Sequence, residues 1–254
     1  MRGRVIAIVL VAGILVAVTS YWALNRPTGG ETADNSGNAT SGPSQPGPAE
    51  LQVRESGAIR NVFFRRGDGE WRNLTQFTRP CHVHDSAVSP SGRYAYVWHS
   101  DRPPRQLAVY DLMGQGDLVA DFVPGYGGSL QWTVADTILH RWGAGTGARN
   151  YVVYDRQGKE LLSGGTSGDE VSPDGSYLLT FPTLMASDEP LQVIALRTLT
   201  IRPLMTDIRT VTDLQWLDGS TLRMDYRDDA QEERTMIISG LKSGSEPVTI
   251  WPAD

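Results

Sequence analysis

Cysteine is almost absent from the 254-residue chain. Cys81 stands alone, which excludes an intrachain disulfide, a four-cysteine zinc site and a Cys-x-x-Cys redox pair. Lysine is nearly as scarce: Lys159 and Lys242 are the only two among 23 basic residues, and nothing gathers the arginines into a phosphate-binding patch. A net charge of −6 adds to the case against a nucleic-acid partner. The nucleophile elbow Gly-x-Ser-x-Gly is also missing, since Gly165-Thr166-Ser167-Gly168-Asp169 lacks the last glycine. No phosphate loop, dinucleotide fingerprint or His-Glu-x-x-His helix occurs. These absences remove the common catalytic classes and imply no cofactor.

Long hydrophobic runs are limited to one. Val5 to Leu24 carries no charge and as a helix is long enough to cross a ~30 Å hydrocarbon core. Arg2 and Arg4 precede it, so residues 1–4 are expected in the cytoplasm and the rest of the chain outside the cytoplasmic membrane. A cleaved signal peptide is the competing reading, with Val18-Thr19-Ser20 as the cleavage triplet. Residues 25–50, rich in Gly, Ser, Pro, Thr and Asn, bury too little to fold and are expected to form a flexible linker. Residues 51–254 then form the folded domain, in the periplasm or at the cell surface.

From Leu51 onward short alternating runs are separated by Gly, Asp, Asn and Pro, the pattern of an all-β chain. Val88-Ser89-Pro90-Ser91-Gly92-Arg93-Tyr94 and Val171-Ser172-Pro173-Asp174-Gly175-Ser176-Tyr177 align as strand, tight turn and strand. Degenerate copies occur at Leu130-Gln131-Trp132 to Leu139 and at Leu214-Gln215-Trp216 to Leu222. Taking Gly92, Asp136, Gly175 and Gly219 as equivalent gives spacings of 44, 39 and 44 residues. A second strand signature keeps the rhythm, with Val109, Val153, Ile194 and Ile238 spaced by 44, 41 and 44. Such a period, holding about four strands, predicts propeller blades that stack on one another. Full units are expected at 84–120, 128–164, 169–206 and 211–251. Ile59–Arg66 and Trp71–Leu74 read as the outer two strands of a further unit. Arg66-Gly67-Asp68 lies between them, where Gly-Asp-Gly makes a hairpin turn.

The Ser-Pro-(Asp/Ser)-Gly turn, followed by a short apolar strand and an apolar-x-Val-Tyr-Asp strand, resembles the TolB-like (WD40-like, PD40) repeat. Similar repeats build the propellers of prolyl-oligopeptidase and dipeptidyl-peptidase IV enzymes, although the peptidase domain has no counterpart here. The resemblance implies a small β-propeller of about four to five four-stranded blades in an envelope setting, from a family whose members mostly bind other molecules. Family propellers more often have six to eight blades, so this ring is either compact and five-bladed or open. An open edge would itself be a binding site, for another envelope or membrane protein or for a second copy of the chain.

Two sets of residues are candidate sites. In Cys81-His82-Val83-His84-Asp85, alternation puts His82 and His84 on one face, and sulfur with imidazole suits copper or zinc. That gives a metal set of Cys81, His82 and His84 and an alternative function as a metalloprotein or enzyme. The same residues also read as a polar loop, and His99 and His140 have no sequence-level reason to join them. By the family resemblance, residues just before each innermost strand line one axial opening: His84, Asp85, Ser129, Asp169, Thr212 and Asp213. Their carboxylates either bind a cation or basic peptide there, or cap their own turns. The expected function is a non-catalytic, protein-binding or accessory subunit of a membrane complex.

Overall fold

The computed structural model describes residues 47–250 except 102, 126, 144, 146–147, 182–190, 206–209, 228–229, 231 and 242–247. The expected membrane segment at 5–24 and nearly all of the expected linker lie outside the described residues. Among the described residues no helix is long and apolar enough to cross a membrane.

Five antiparallel meanders follow one another along the chain. The first holds β1 (Ala49–Ser56), β2 (Ile59–Arg66) and β3 (Arg72–Asn73). The second holds β4 (His82–Val88), β5 (Tyr94–Ser100), β6 (Gln106–Asp111) and β7 (Asp117–Phe122). The third runs through β8 (Ser129–Trp132), β9 (Ile138–Gly143), β10 (Arg149–Tyr154) and β11 (Glu160–Thr166). The fourth contains β12 (Gly168–Val171), β13 (Tyr177–Phe181), β14 (Leu191–Ala195) and β15 (Thr200–Met205). The fifth contains β16 (Thr210–Trp216), β17 (Leu222–Arg227), β18 (Glu233–Ser239) and β19 (Val248–Ile250). These bounds follow the four expected units closely.

The repeat turns both close each hairpin and bond to the next sheet. Gly92 and Gly175 donate to the carbonyls of Ser89 and Ser172 and adopt φ of 70° and 68°, a region that suits glycine. Ser91 N–H then donates to Asp136 Oδ1 in the third sheet, and Val134 N–H donates to the Gly175 carbonyl in the fourth. The degenerate copies thus keep the turn's position even where its glycine is gone.

Each of the four buried clusters joins two consecutive sheets. Val62, Phe64 and Leu74 pack with Ala95, Val97, Ala108 and Tyr110; the opposite face of the second sheet sends Tyr94, Tyr96, Trp98, Leu107 and Val109 onto Leu130, Trp132 and Ile138. Leu139, Tyr151 and Val153 meet Leu178, Ile194 and Leu196, while Leu179, Leu191 and Val193 meet Leu222, Met224, Tyr226, Met236 and Ile238. Middle strands are therefore buried on both faces, as β5 is from Tyr94 to His99. End sheets alternate: in β17, Leu222, Met224 and Tyr226 are buried while Arg223 and Arg227 are exposed. At ~1.5–3 kcal/mol for each large side chain buried, this interleaving is the main source of stability. Both end faces carry charged side chains, and on the first they lie over the Phe63 and Trp71 rings. The first carries Glu50, Gln52, Arg54 and Arg65, and the fifth carries Arg223 and Asp225.

The leading unit departs from expectation. It has a third strand, β1, which begins at Ala49 within the stretch read as linker. The β2–β3 turn lies against the β6–β7 turn, where Arg66 Nε donates to the Leu112 carbonyl at 3.0 Å and Arg72 reaches Gln115 Oε1 at 2.9 Å. β2 and β3 thus occupy the third and fourth positions of a unit, and β1 the second. Among the described residues no strand occupies the first.

Candidate functional site

The free side of β1 is the first feature that sets this chain apart. β1 pairs with β2 over its whole length, from Ala49↔Arg66 to Ser56↔Ile59, without a register shift. Its other side pairs with no strand among the described residues, and Gln52 to Ser56 are exposed. Every other edge strand is blunted by one of the usual devices. β3, β8, β12 and β19 have four residues or fewer. β4, β7, β11, β15 and β16 each carry a register shift against their neighbour, and β15 also contains Pro203. Among the described edge strands β1 alone is long, regular and free of proline. Leu51 packs toward the second sheet and Val53, on the same face, is 42% exposed. Arg54 on the opposite face lies over Phe63 and Trp71.

The cysteine–histidine segment is rearranged by a bulge in β4 between Val83 and Asp85. His82 and His84 do share a face, their rings meeting edge-on at 4.5 Å. Cys81 does not join them: its Sγ lies 3.7 Å from His99 Nδ1, while Nε2 of His84 is 2.8 Å from the Ser100 hydroxyl. The structure does not bring the expected metal set of Cys81, His82 and His84 together. Among the described residues no three His, Cys, Asp or Glu side chains are placed to hold a metal ion.

Cys81 and His99 instead line a groove of about 370 Å³ between the loop 75–79 and the second sheet, with Asp101, Tyr110 and Asp121 also on its wall. Burial raises the Cys81 thiol above its ordinary value, and Asp101 adds to this. Burial lowers His99, with Asp121 and Asp101 opposing it. Both shifts favour the uncharged forms, the opposite direction from an activated nucleophile, which needs a depressed thiol value. Iodoacetamide at neutral pH is thus expected to modify Cys81 far more slowly in the folded chain than in denaturant. Comparable rates would contradict the placement.

His84 is also lowered, by burial first and then by the charges of Arg105, His82 and His99. A histidine lowered on folding binds its proton more readily in the unfolded chain. Its contribution to stability is therefore complete above about pH 6.5 and falls as the pH drops below that value. The denaturant midpoint is expected to be lower at pH 5.5 than at pH 7.5, and His99→Gln to reduce that difference. An unchanged midpoint would contradict both shifts.

The expected axial residues fare differently from one another. Asp85 accepts the Tyr96 hydroxyl at 2.7 Å and its own Ser86 N–H at 2.8 Å. Asp169 is enclosed, its side chain 2% exposed between Arg141 at 2.7 Å and Arg149 at 3.3 Å. It bridges the third and fourth sheets. Ser129, Thr212 and Asp213 are exposed, and His84 is half-buried. The carboxylates of Asp85, Asp169 and Asp213 form no metal-holding group.

No protein-family model and no curated protein matches the chain. Among solved structures it is similar to a prolyl endopeptidase, with 16% identity, a TM-score of 0.49, and 82% of this chain covering 34% of that one. It is also similar to TolB from Acinetobacter baumannii, with 13% identity and a TM-score of 0.37 over 82% of this chain and 53% of that one. A third similar structure is an oligogalacturonate lyase from Vibrio parahaemolyticus, with 13% identity and a TM-score of 0.44 over 80% and 61%. The chain spans between a third and about three-fifths of the length of these proteins. These likenesses carry no statement about activity.

Proposed function

We propose that the protein is a non-catalytic binding module that takes an extended segment of a protein partner along the free edge of β1, as the strand completing its first sheet. The observation that carries this reading is the contrast in edges: β1 is long and regular where every other described edge strand is short or bulged. Backbone pairing supplies affinity in such strand addition, and side chains alternating along the edge supply selectivity. The neighbouring sheets bear the ordering cost in advance. The raised Cys81 thiol and lowered His99 imidazole support a binding role over nucleophilic chemistry. In the same reading the apolar run at residues 5–24 anchors the chain in the cytoplasmic membrane, and the stacked sheets form a small TolB-like propeller on its outer side.

The test is photo-cross-linking of the full-length chain in its native cells, with a photoreactive residue at position 52 on the edge or at position 235 on the polar face of the fifth sheet. A discrete adduct from position 52, absent from position 235, is expected. No adduct from position 52, or equal adducts from both, would overturn the reading.

A further inference from the structure

We infer that the partner on this edge is β1 of a second copy of the chain, paired antiparallel about Gln52; this rests on the edge-binding reading above. β1 reads Ala49-Glu50-Leu51-Gln52-Val53-Arg54-Glu55-Ser56, and one face-consistent register sets its Glu50 against Arg54. With Gln52 opposite the partner's Gln52, Leu51 meets the partner's Val53 and Glu50 meets the partner's Arg54. The twofold repeats each contact. The side chains fall on consistent faces: Leu51 and Val53 on the face toward the second sheet, Glu50, Gln52 and Arg54 on the other.

The charges favour this register. Glu50 already bonds Arg65 of its own sheet at 2.8 Å, whereas among the described residues Arg54 bonds only the neutral Gln52, at 3.0 Å, and lies over the Phe63 and Trp71 rings. The face thus carries two guanidinium groups around one carboxylate, and the partner's Glu50 supplies the acid that Arg54 lacks. Glu55, the other carboxylate of β1, is engaged by Arg60 at 2.8 Å. Shifting the register by two residues either way keeps the faces but sets Glu50 against the partner's Gln52 or Ser56, so both opposite-charge pairs are lost. In the favoured register the exposed Val53 gains an apolar neighbour. The two three-stranded sheets become one continuous sheet across the twofold axis.

Sedimentation equilibrium of the detergent-solubilised full-length chain tests this. A monomer–dimer equilibrium is expected. Glu50→Arg and Arg54→Glu each replace two attractive cross-strand pairs with two repulsive ones and should weaken association by about 10-fold or more. The double variant restores opposite charges and should recover most of the loss. Unchanged thermal melting of the dilute variants will show that they fold. A chain that stays monomeric at every concentration, or a double variant no tighter than the singles, overturns the inference. If the chain is monomeric and position 52 cross-links to a different protein, self-pairing fails while the edge reading stands. If position 52 gives no adduct, the edge reading fails as well.

Discussion

Gly128→Ala is expected to destabilise the protein by about 3 kcal/mol or more, the largest effect of any single methyl group considered. Gly128 precedes β8 with φ of 128°, a backbone conformation that side-chain-bearing residues rarely adopt. A Cβ there would overlap the Arg141 carbonyl oxygen and come within 2.9 Å of the Trp142 Cβ. Both obstacles belong to β9, which cannot withdraw without breaking its pairing with β8 and β10. The neighbouring Gly127 carbonyl also lies 3.2 Å from His140 Nε2 beneath it. For a domain of this size the melting temperature should fall by roughly 6–12 °C. Gly143→Ala is the control, because nothing lies within 4 Å of its added Cβ. It is expected to change stability by less than about 1 kcal/mol, and equal effects at the two sites would contradict the account.

Asp169→Ala is expected to be nearly as costly. Removing the carboxylate strands Arg141, whose side chain is 24% exposed, beside a cavity that only water can fill. Breaking a buried pair from one side typically costs ~3–5 kcal/mol, and because Arg141 keeps some access to water the lower end applies. Arg149→Ala removes the more exposed partner, 55% accessible at 3.3 Å, and should cost no more than about 1 kcal/mol. Denaturant midpoints of the two variants test this ordering. A small effect for Asp169→Ala would mean that its bridge between sheets contributes little.

The sheets were legible because their turns are chemically explicit. Ser-Pro-x-Gly at residues 89–92 and 172–175 marked two hairpins, and a recurring spacing of 39 to 44 residues placed the degenerate ones. Burial on both faces of the middle strands, as at Leu107 to Tyr110, follows from the stacking that the repeat implied. β1 was obscured because it begins within linker-like composition and has only Leu51 and Val53 as large apolar residues. Its significance emerges only when its edge is compared with the others.

The site chemistry was less legible. One bulge in β4 pairs Val83 with His99, and counting outward from the repeat turn cannot locate such a bulge. The approach of Cys81 to His99 therefore leaves no mark in residue order. The surroundings of Asp169 were not legible, because its partners Arg141 and Arg149 come from strands of the preceding sheet. An isolated carboxylate before a strand looks the same whether it faces solvent or two guanidinium groups.

The most direct test of the open edge is residue-resolved amide exchange on the full-length chain, at a dilution where it is monomeric. If β1 pairs on one side only, alternate amides from Ala49 to Ser56 should exchange rapidly while those between stay protected by β2. The amides of β5, paired on both sides, should be slow throughout. Uniform protection along β1 in the monomer would mean that another strand of the same chain covers the edge, and would contradict the proposed binding surface.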